Sequence, residues 1–169
     1  MEFTIKNTRI LKSKLRKIQR VCGEVAIKFK ENGIKIMGMD SNNVLASQLF
    51  ITKDNLVGYK YEPIKNIAIN LNVFLIALKK LEDDAEFVLN NDSLSLLAAN
   101  NKFDIGFMDL DSFYEFSDFE PKVEWKVNDN IEGINKIFTY MDNGPLIINS
   151  EEKGFKLDWI VAPKLLIHQ

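Results

Sequence analysis

Apolar and polar residues alternate or recur along the first two thirds of this chain with two distinct periods. Phe3 and Ile5 alternate with polar neighbours, which predicts a short strand over residues 1–6. From Arg9 to Cys22 the period changes. Leu11, Leu15, Ile18 and Cys22 recur at i, i+4, i+7 and i+11, the stripe of an amphipathic helix. Val25, Ile27 and Phe29 then alternate up to Glu31-Asn32-Gly33, an Asn-Gly hairpin turn, and Ile34 and Ile36 lead the return strand. Leu45 to Ile51 and the pair Ile67, Ile69 predict two further strands. Asn70 or Asn72 can cap a second helix over Val73 to Leu81, apolar nearly all round and so expected to be more buried than the first. Strands follow at Glu86–Leu89, Leu94–Ala98 and Phe103–Met108, separated by turns at Asn90-Asn91-Asp92 and Asn100-Asn101. The order β-α-β-β-β-β-α-β-β-β with tight hairpins predicts an α+β fold: a mostly antiparallel sheet with both helices on one face.

From Asp109 the composition shifts. Asp109, Asp111, Glu115, Asp118, Glu120 and Glu124 interleave with Phe113, Tyr114, Phe116, Phe119 and Trp125. Residues 112–122 read as a linker between a complete unit, 1–111, and a shorter one, 123–169. In the latter, Val123–Val127 reads as a strand and Asn130 can cap a short helix carrying Ile131, Ile134 and Phe138. Pro145–Asn149 with Phe155–Val161 reads as a closing hairpin ending at Ala162-Pro163-Lys164.

The charge distribution adds a second layer. The net charge is −2, yet the first helix holds Arg9, Lys12, Lys14, Arg16, Lys17 and Arg20 and no acid, and those three arginines are the only ones in the 169 residues. Guanidinium groups grip phosphate oxygens in a fork. A solvated, lysine-rich surface helix is the plain alternative. With so acidic a balance, any nucleic-acid contact has to come from segregated charge. Nothing points to catalysis: the one histidine, His168, is next to last, Cys22 lies on an apolar seam, and no metal-ligand spacing or phosphate-cradling glycine loop occurs. No cofactor is expected. A single cysteine, no apolar run of membrane-spanning length and no secretory signal suggest an intracellular setting: nuclear in a eukaryotic or nuclear-viral context, otherwise cytoplasmic.

Four blocks resemble the sliding DNA clamps of the proliferating cell nuclear antigen (PCNA) family. They are GIKIMGMDSNNVLASQLFI (33–51), INLNVFLIALKK (69–80), FMDLD (107–111), and GPLIIN (144–149) with WIVAPK (159–164). The resemblance implies a DNA-clamp-like fold with an outer antiparallel sheet and inner helices. It implies a DNA-facing surface at Arg9, Lys12, Lys14, Arg16, Lys17, Arg20, Lys79 and Lys80. It also implies a groove for partner peptides at Met39, Asn43, Val44, Ala46, Pro145, Ile160, Ala162, Pro163 and Lys164. Family members carry two such domains and close a trimeric ring by head-to-tail pairing of edge strands. Here about half of the second domain has no counterpart, which leaves the strand at 103–108 to pair differently, be blocked or aggregate. Leu110-x-x-Phe113-Tyr114 has the spacing of a clamp-binding peptide; chance and strand-end packing are its plain explanation. The implied function is that of a DNA sliding clamp and polymerase processivity factor, not an enzyme. Its partners would be non-specific duplex DNA, a DNA polymerase and other clamp-binding proteins, a clamp loader, and further copies of itself. The alternative is a clamp-derived interaction protein that does not encircle DNA.

Overall fold

A computed structural model describes residues 1–41, 45–81, 83–98, 100–109, 125–127 and 146–161, with 125–127, 146–148 and 161 described through their backbone. Two βαβββ runs follow one another. The first is β1 (Glu2–Ile5), α1 (Thr8–Gln19), β2 (Glu24–Lys30), β3 (Gly33–Met39) and β4 (Leu45–Thr52). A 3-10 turn at Lys53–Asn55 and the two-residue strand β5 (Leu56–Val57) lead to the second run. That run is β6 (Ile67–Asn70), α2 (Leu71–Lys79), β7 (Ala85–Leu89), β8 (Ser93–Ala98) and β9 (Asn101–Gly106). Then come β10 (Trp125–Val127), β11 (Leu146–Glu152) and β12 (Phe155–Val161).

The α+β class holds, but the strands form two sheets rather than one, in the orders β5-β1-β7-β8-β9 and β10-β11-β12-β4-β3-β2-β6. The two runs exchange their first strands. β1 pairs with β7, setting Phe3 opposite Phe87, and β6 pairs with β2, setting Ile67 opposite Ile27. All described ladders are antiparallel except β10 with β11, which is parallel. The helix expected from Asn130, the linker 112–122 and the Leu110-x-x-Phe113-Tyr114 motif lie outside the described residues.

Local chemistry explains the elements. In α1 the seam residues Leu11, Leu15 and Ile18 are completely buried, each contributing about 1.5–3 kcal/mol of burial. The Asn7 side chain does not cap α1. Asn7 sits in left-handed backbone (φ 57°), and its Nδ2 donates to Asn55 Oδ1 at 3.2 Å. Asn70 is the cap of α2, its Oδ1 accepting from the Val73 backbone N–H at 3.1 Å, so the helix starts two residues before the expected Val73. As expected, α2 is the more buried helix, with five of its nine residues buried against five of twelve in α1, but two of its apolar residues stay uncovered: Val73 is 45% and Ile76 60% exposed. At the Asn32-Gly33 turn a Cβ on Gly33 would lie 2.1 Å from the Ile51 carbonyl oxygen, so only glycine fits between β3 and β4.

One core joins both sheets and both helices. Phe3 stacks on Phe87 at 5.5 Å, with Phe29, Tyr59 and Phe74 meeting this pair edge-on. The closing hairpin belongs to the same core. β12 runs along the whole of β4, from Phe155 opposite Ile51 to Val161 opposite Leu45, and Phe155, Leu157 and Trp159 are buried. Buried Asn55 fastens the hairpin turn: its Nδ2 donates to the Lys153 carbonyl at 2.8 Å and to Thr52 Oγ1 at 3.3 Å, while its own carbonyl accepts from the Lys6 N–H.

Tyr59 yields a pH prediction. Its hydroxyl donates to the Lys30 carbonyl at 2.8 Å, and burial pushes its pKa up to about 12 from the ordinary 10.0. The folded state therefore holds this proton where the unfolded chain has released it. The stabilisation is complete below pH 10 and is lost as pH rises towards 12. Thermal melts should show Tyr59→Phe losing less stability than the parent between pH 10 and 12. Equal losses would show that Tyr59 does not control the alkaline limb.

Candidate nucleic-acid interface

The two helices pack side by side and antiparallel. Gln19, at the end of α1, donates from Nε2 to Asn72 Oδ1 near the start of α2 at 2.7 Å, and Lys12 Nζ donates to the Leu81 carbonyl just past the end of α2 at 3.1 Å. α1 rests on β4 and β12, and α2 on β2, β6 and β9. The helix faces turned away from these strands therefore share one surface.

On α1 that surface is a stripe of Arg9, Ser13, Arg16 and Arg20, all exposed. Their i, i+4, i+7, i+11 spacing repeats that of Leu11, Leu15, Ile18 and Cys22, displaced by two residues. At 3.6 residues per turn, two residues are about 200° of rotation, so the guanidinium stripe lies opposite the apolar seam. None of the three arginines is paired with a carboxylate among the described residues. Ser13, absent from the expected set, completes the stripe and was legible in the same spacing.

The lysines divide differently. Lys17 is half-buried and flanks the stripe, and Lys12 is half-buried with its ammonium turned to the end of α2, where the helix dipole favours a cation. Lys14 is a correction. It is 4% exposed on the core side of α1, and its Nζ donates to Ser150 Oγ on β11 at 3.1 Å. Burial lowers its pKa, Lys17 lowers it further, and Glu152 opposes both. Lys14 thus joins α1 to the closing hairpin. Its position, i+3 from Leu11 and i−4 from Ile18, was the signal that could have placed it inward. On α2, Lys79 and Lys80 are exposed, with Lys80 Nζ 5.3 Å from the centroid of the Phe103 ring on β9. Between these lysines and the Arg20 end lie Val73 and Ile76, the apolar part of an otherwise basic surface.

On the opposite face of the seven-stranded sheet, three residues expected in the partner groove meet in one cross-strand row. Met39 on β3 faces Ala46 on β4, and Ala46 faces Ile160 on β12. Ala46 and Ile160 are buried, Met39 is half-buried against them, and the cluster is separate from the main core. The loop entering this row is closed by Asp40, whose Oδ1 accepts from the Leu45 N–H at 3.0 Å. Asn43, Val44, Pro145, Ala162, Pro163 and Lys164 lie outside the described residues. Among the described residues there is no cluster of three or more metal-binding side chains and no helix long and apolar enough to cross a membrane. Burial, reinforced by Asp40, raises the pKa of the Cys22 thiol to about 11, so it stays protonated at neutral pH.

Comparison with known proteins agrees with this architecture. The Helicobacter pylori beta clamp bound to a DNA ligase peptide superposes with a TM-score of 0.57 at 19% identity, over 72% of this chain and 35% of the clamp. A DNA polymerase III beta chain from Streptococcus pneumoniae gives 0.57 at 14% identity, over 70% and 34%. The Bacillus subtilis sliding clamp gives 0.53 at 17%, over 69% and 33%. At these identities the likeness is one of fold, and the chain spans about a third of the length of the clamps it matches. No curated protein matches by sequence. A family profile, "Proliferating cell nuclear antigen, N-terminal domain", matches residues 1–112. The chain belongs to the proliferating cell nuclear antigen family, whose members are non-catalytic, through a clamp domain that occupies its first two thirds.

Proposed function

We propose that this protein is a clamp-type tether in DNA replication. It holds duplex DNA non-specifically against the α1–α2 surface and offers the surface around half-buried Met39, backed by buried Ala46 and Ile160 on the other face of the sheet, to a polymerase or another clamp-binding protein. The observation that carries the reading is the exposed stripe of Arg9, Arg16 and Arg20, set opposite the buried seam of the same helix in a chain of net charge −2. Phosphate contacts of this kind position DNA without reading its bases. No bond is made or broken; the gain is the effective concentration of a tethered enzyme at its template. A second reading, a clamp-derived interaction protein that does not encircle DNA, draws on the Met39–Ala46–Ile160 row taken by itself.

The test is fluorescence anisotropy with a labelled duplex of mixed sequence across a salt series. Binding should be indifferent to sequence and should weaken linearly in log affinity against log salt, with a slope of about −0.9 for each phosphate contact. A flat salt dependence, or preference for one sequence, would exclude the reading. Lys14→Met should leave affinity within about twofold and the slope unchanged, since a buried ammonium releases no counterion from DNA. A Lys14→Met loss as large as that of an arginine variant would reverse the assignment of Lys14.

A further inference from the structure

We propose that Val73 and Ile76 are an apolar, salt-independent element of the α1–α2 surface, and that they seat on the deoxyribose of the duplex between two groups of phosphates. The inference rests on the DNA reading above and adds a kind of contact that the arginine stripe cannot make.

Four large apolar side chains are more than 40% exposed among the described residues, and two of them stand one turn apart on α2: Val73 at 45% and Ile76 at 60%. Their i, i+3 spacing puts them on one face of the helix. That face is turned away from the core, since Leu71, Phe74, Leu75, Ala77 and Leu78 are the buried residues of α2. The helix itself does not require them. The Asn70 cap is made to the Val73 backbone N–H, and both positions would accept any good helix former. Covering the pair would gain the apolar area now left in water.

The surroundings decide what covers it. Gln19 Nε2 donates to Asn72 Oδ1, which brings the Arg20 end of α1 beside the start of α2. Lys79 and Lys80 are exposed at the other end of α2. Asn72 and Lys79 are about 10 Å apart along the axis, at about 1.5 Å per residue, so the apolar pair lies between two cationic ends. A purely apolar partner would have to strip water from both ends without supplying charge. A duplex supplies it: its phosphates meet the cations, and the C–H faces of its deoxyribose rings lie between them. Sugar contacts, like phosphate contacts, position the protein without reading bases. Apolar contact is also non-directional, so it fixes no register along the duplex and suits a tether that moves along it.

Fluorescence anisotropy of a labelled duplex across a salt series separates the two kinds of contact. The slope of log affinity against log salt counts phosphate contacts, and the value extrapolated to 1 M salt, where the counterion contribution vanishes, reads the rest. The double variant Val73→Ser with Ile76→Ser should lower the 1 M value about tenfold and leave the slope unchanged. Ile76→Lys should instead steepen the slope by about 0.9. Val57→Ser, at an equally exposed valine on β5, should change neither. Circular dichroism should show each variant folded.

A folded double variant with the parent's affinity at every salt concentration overturns the proposal, and the salt-dependent binding of the parent then still supports the DNA reading. A parent whose affinity ignores salt removes the DNA reading, and the proposal with it. Sedimentation velocity and flotation with vesicles of anionic phospholipid cover the other occupants. If the double variant loses self-association or vesicle binding while its DNA affinity stays at the parent's, the pair belongs to a second copy or to a lipid surface, and the proposal falls.

Discussion

Replacing Arg9, Arg16 and Arg20 together by alanine is expected to lower affinity for duplex DNA by roughly 10²- to 10³-fold at 0.1 M salt. The estimate follows from counterion release. Each phosphate contact contributes about 0.9 to the slope of log affinity against log salt, which at 0.1 M is close to one decade per contact. Removing all three guanidinium groups should flatten the slope by about 2.7. The fold should barely notice, because all three side chains are exposed and such surface substitutions change stability by about 0.5 kcal/mol or less each. Lysine at the same positions should keep the slope while losing the forked grip on phosphate, so Arg→Lys variants separate charge from geometry. Unchanged affinity and slope in the alanine variant, with circular dichroism showing an intact fold, would remove the DNA-facing assignment of α1.

Phe155→Ala is expected to destabilise the protein by about 3–5 kcal/mol in urea unfolding, a large part of the roughly 5–15 kcal/mol that holds a domain together. Phe155 lies more than forty residues beyond the stretch that matches the family, yet it is completely buried in the main core opposite Ile51 of β4. The expected effect is large because the hairpin extends the seven-stranded sheet and is bound to the first run at several points. The Thr52 N–H donates to the Gly154 carbonyl, Asn55 holds Lys153, and Lys14 of α1 reaches Ser150. Gly154 has φ 85°, and a Cβ there would meet Thr52 Oγ1, so Gly154→Ala should act in the same direction. A change below about 1 kcal/mol for Phe155→Ala would mean that residues 146–161 unfold as a unit of their own.

Both expectations turn on which features were visible in the chain alone. The seam of α1 was legible because three fully buried apolar residues at helical spacing leave little choice of face, and the arginine stripe followed from the same spacing. Gly33 was legible because the Asn-Gly pair has a turn geometry of its own. Lys14 was legible only in part. Its place at i+3 from Leu11 and i−4 from Ile18 sets it beside the seam, but the partner that holds it there, Ser150, is 136 residues away. The same holds for Met39, Ala46 and Ile160, whose alignment in one row depends on the register of three strands drawn from both ends of the chain. Their common membership of a groove was suggested by family resemblance, not by periodicity.

The sequence by itself determined the local elements, the antiparallel hairpins and the segregation of arginine on α1, because period, turn chemistry and charge are properties of neighbouring residues. Tertiary structure alone decided that the strands divide into two sheets by exchanging β1 and β6, and that the closing hairpin completes β4. It also decided that α2 leaves Val73 and Ile76 uncovered. These outcomes depend on which distant surfaces meet, and hydrophobic burial rewards any apolar face that finds a partner without specifying which one along the chain it will be.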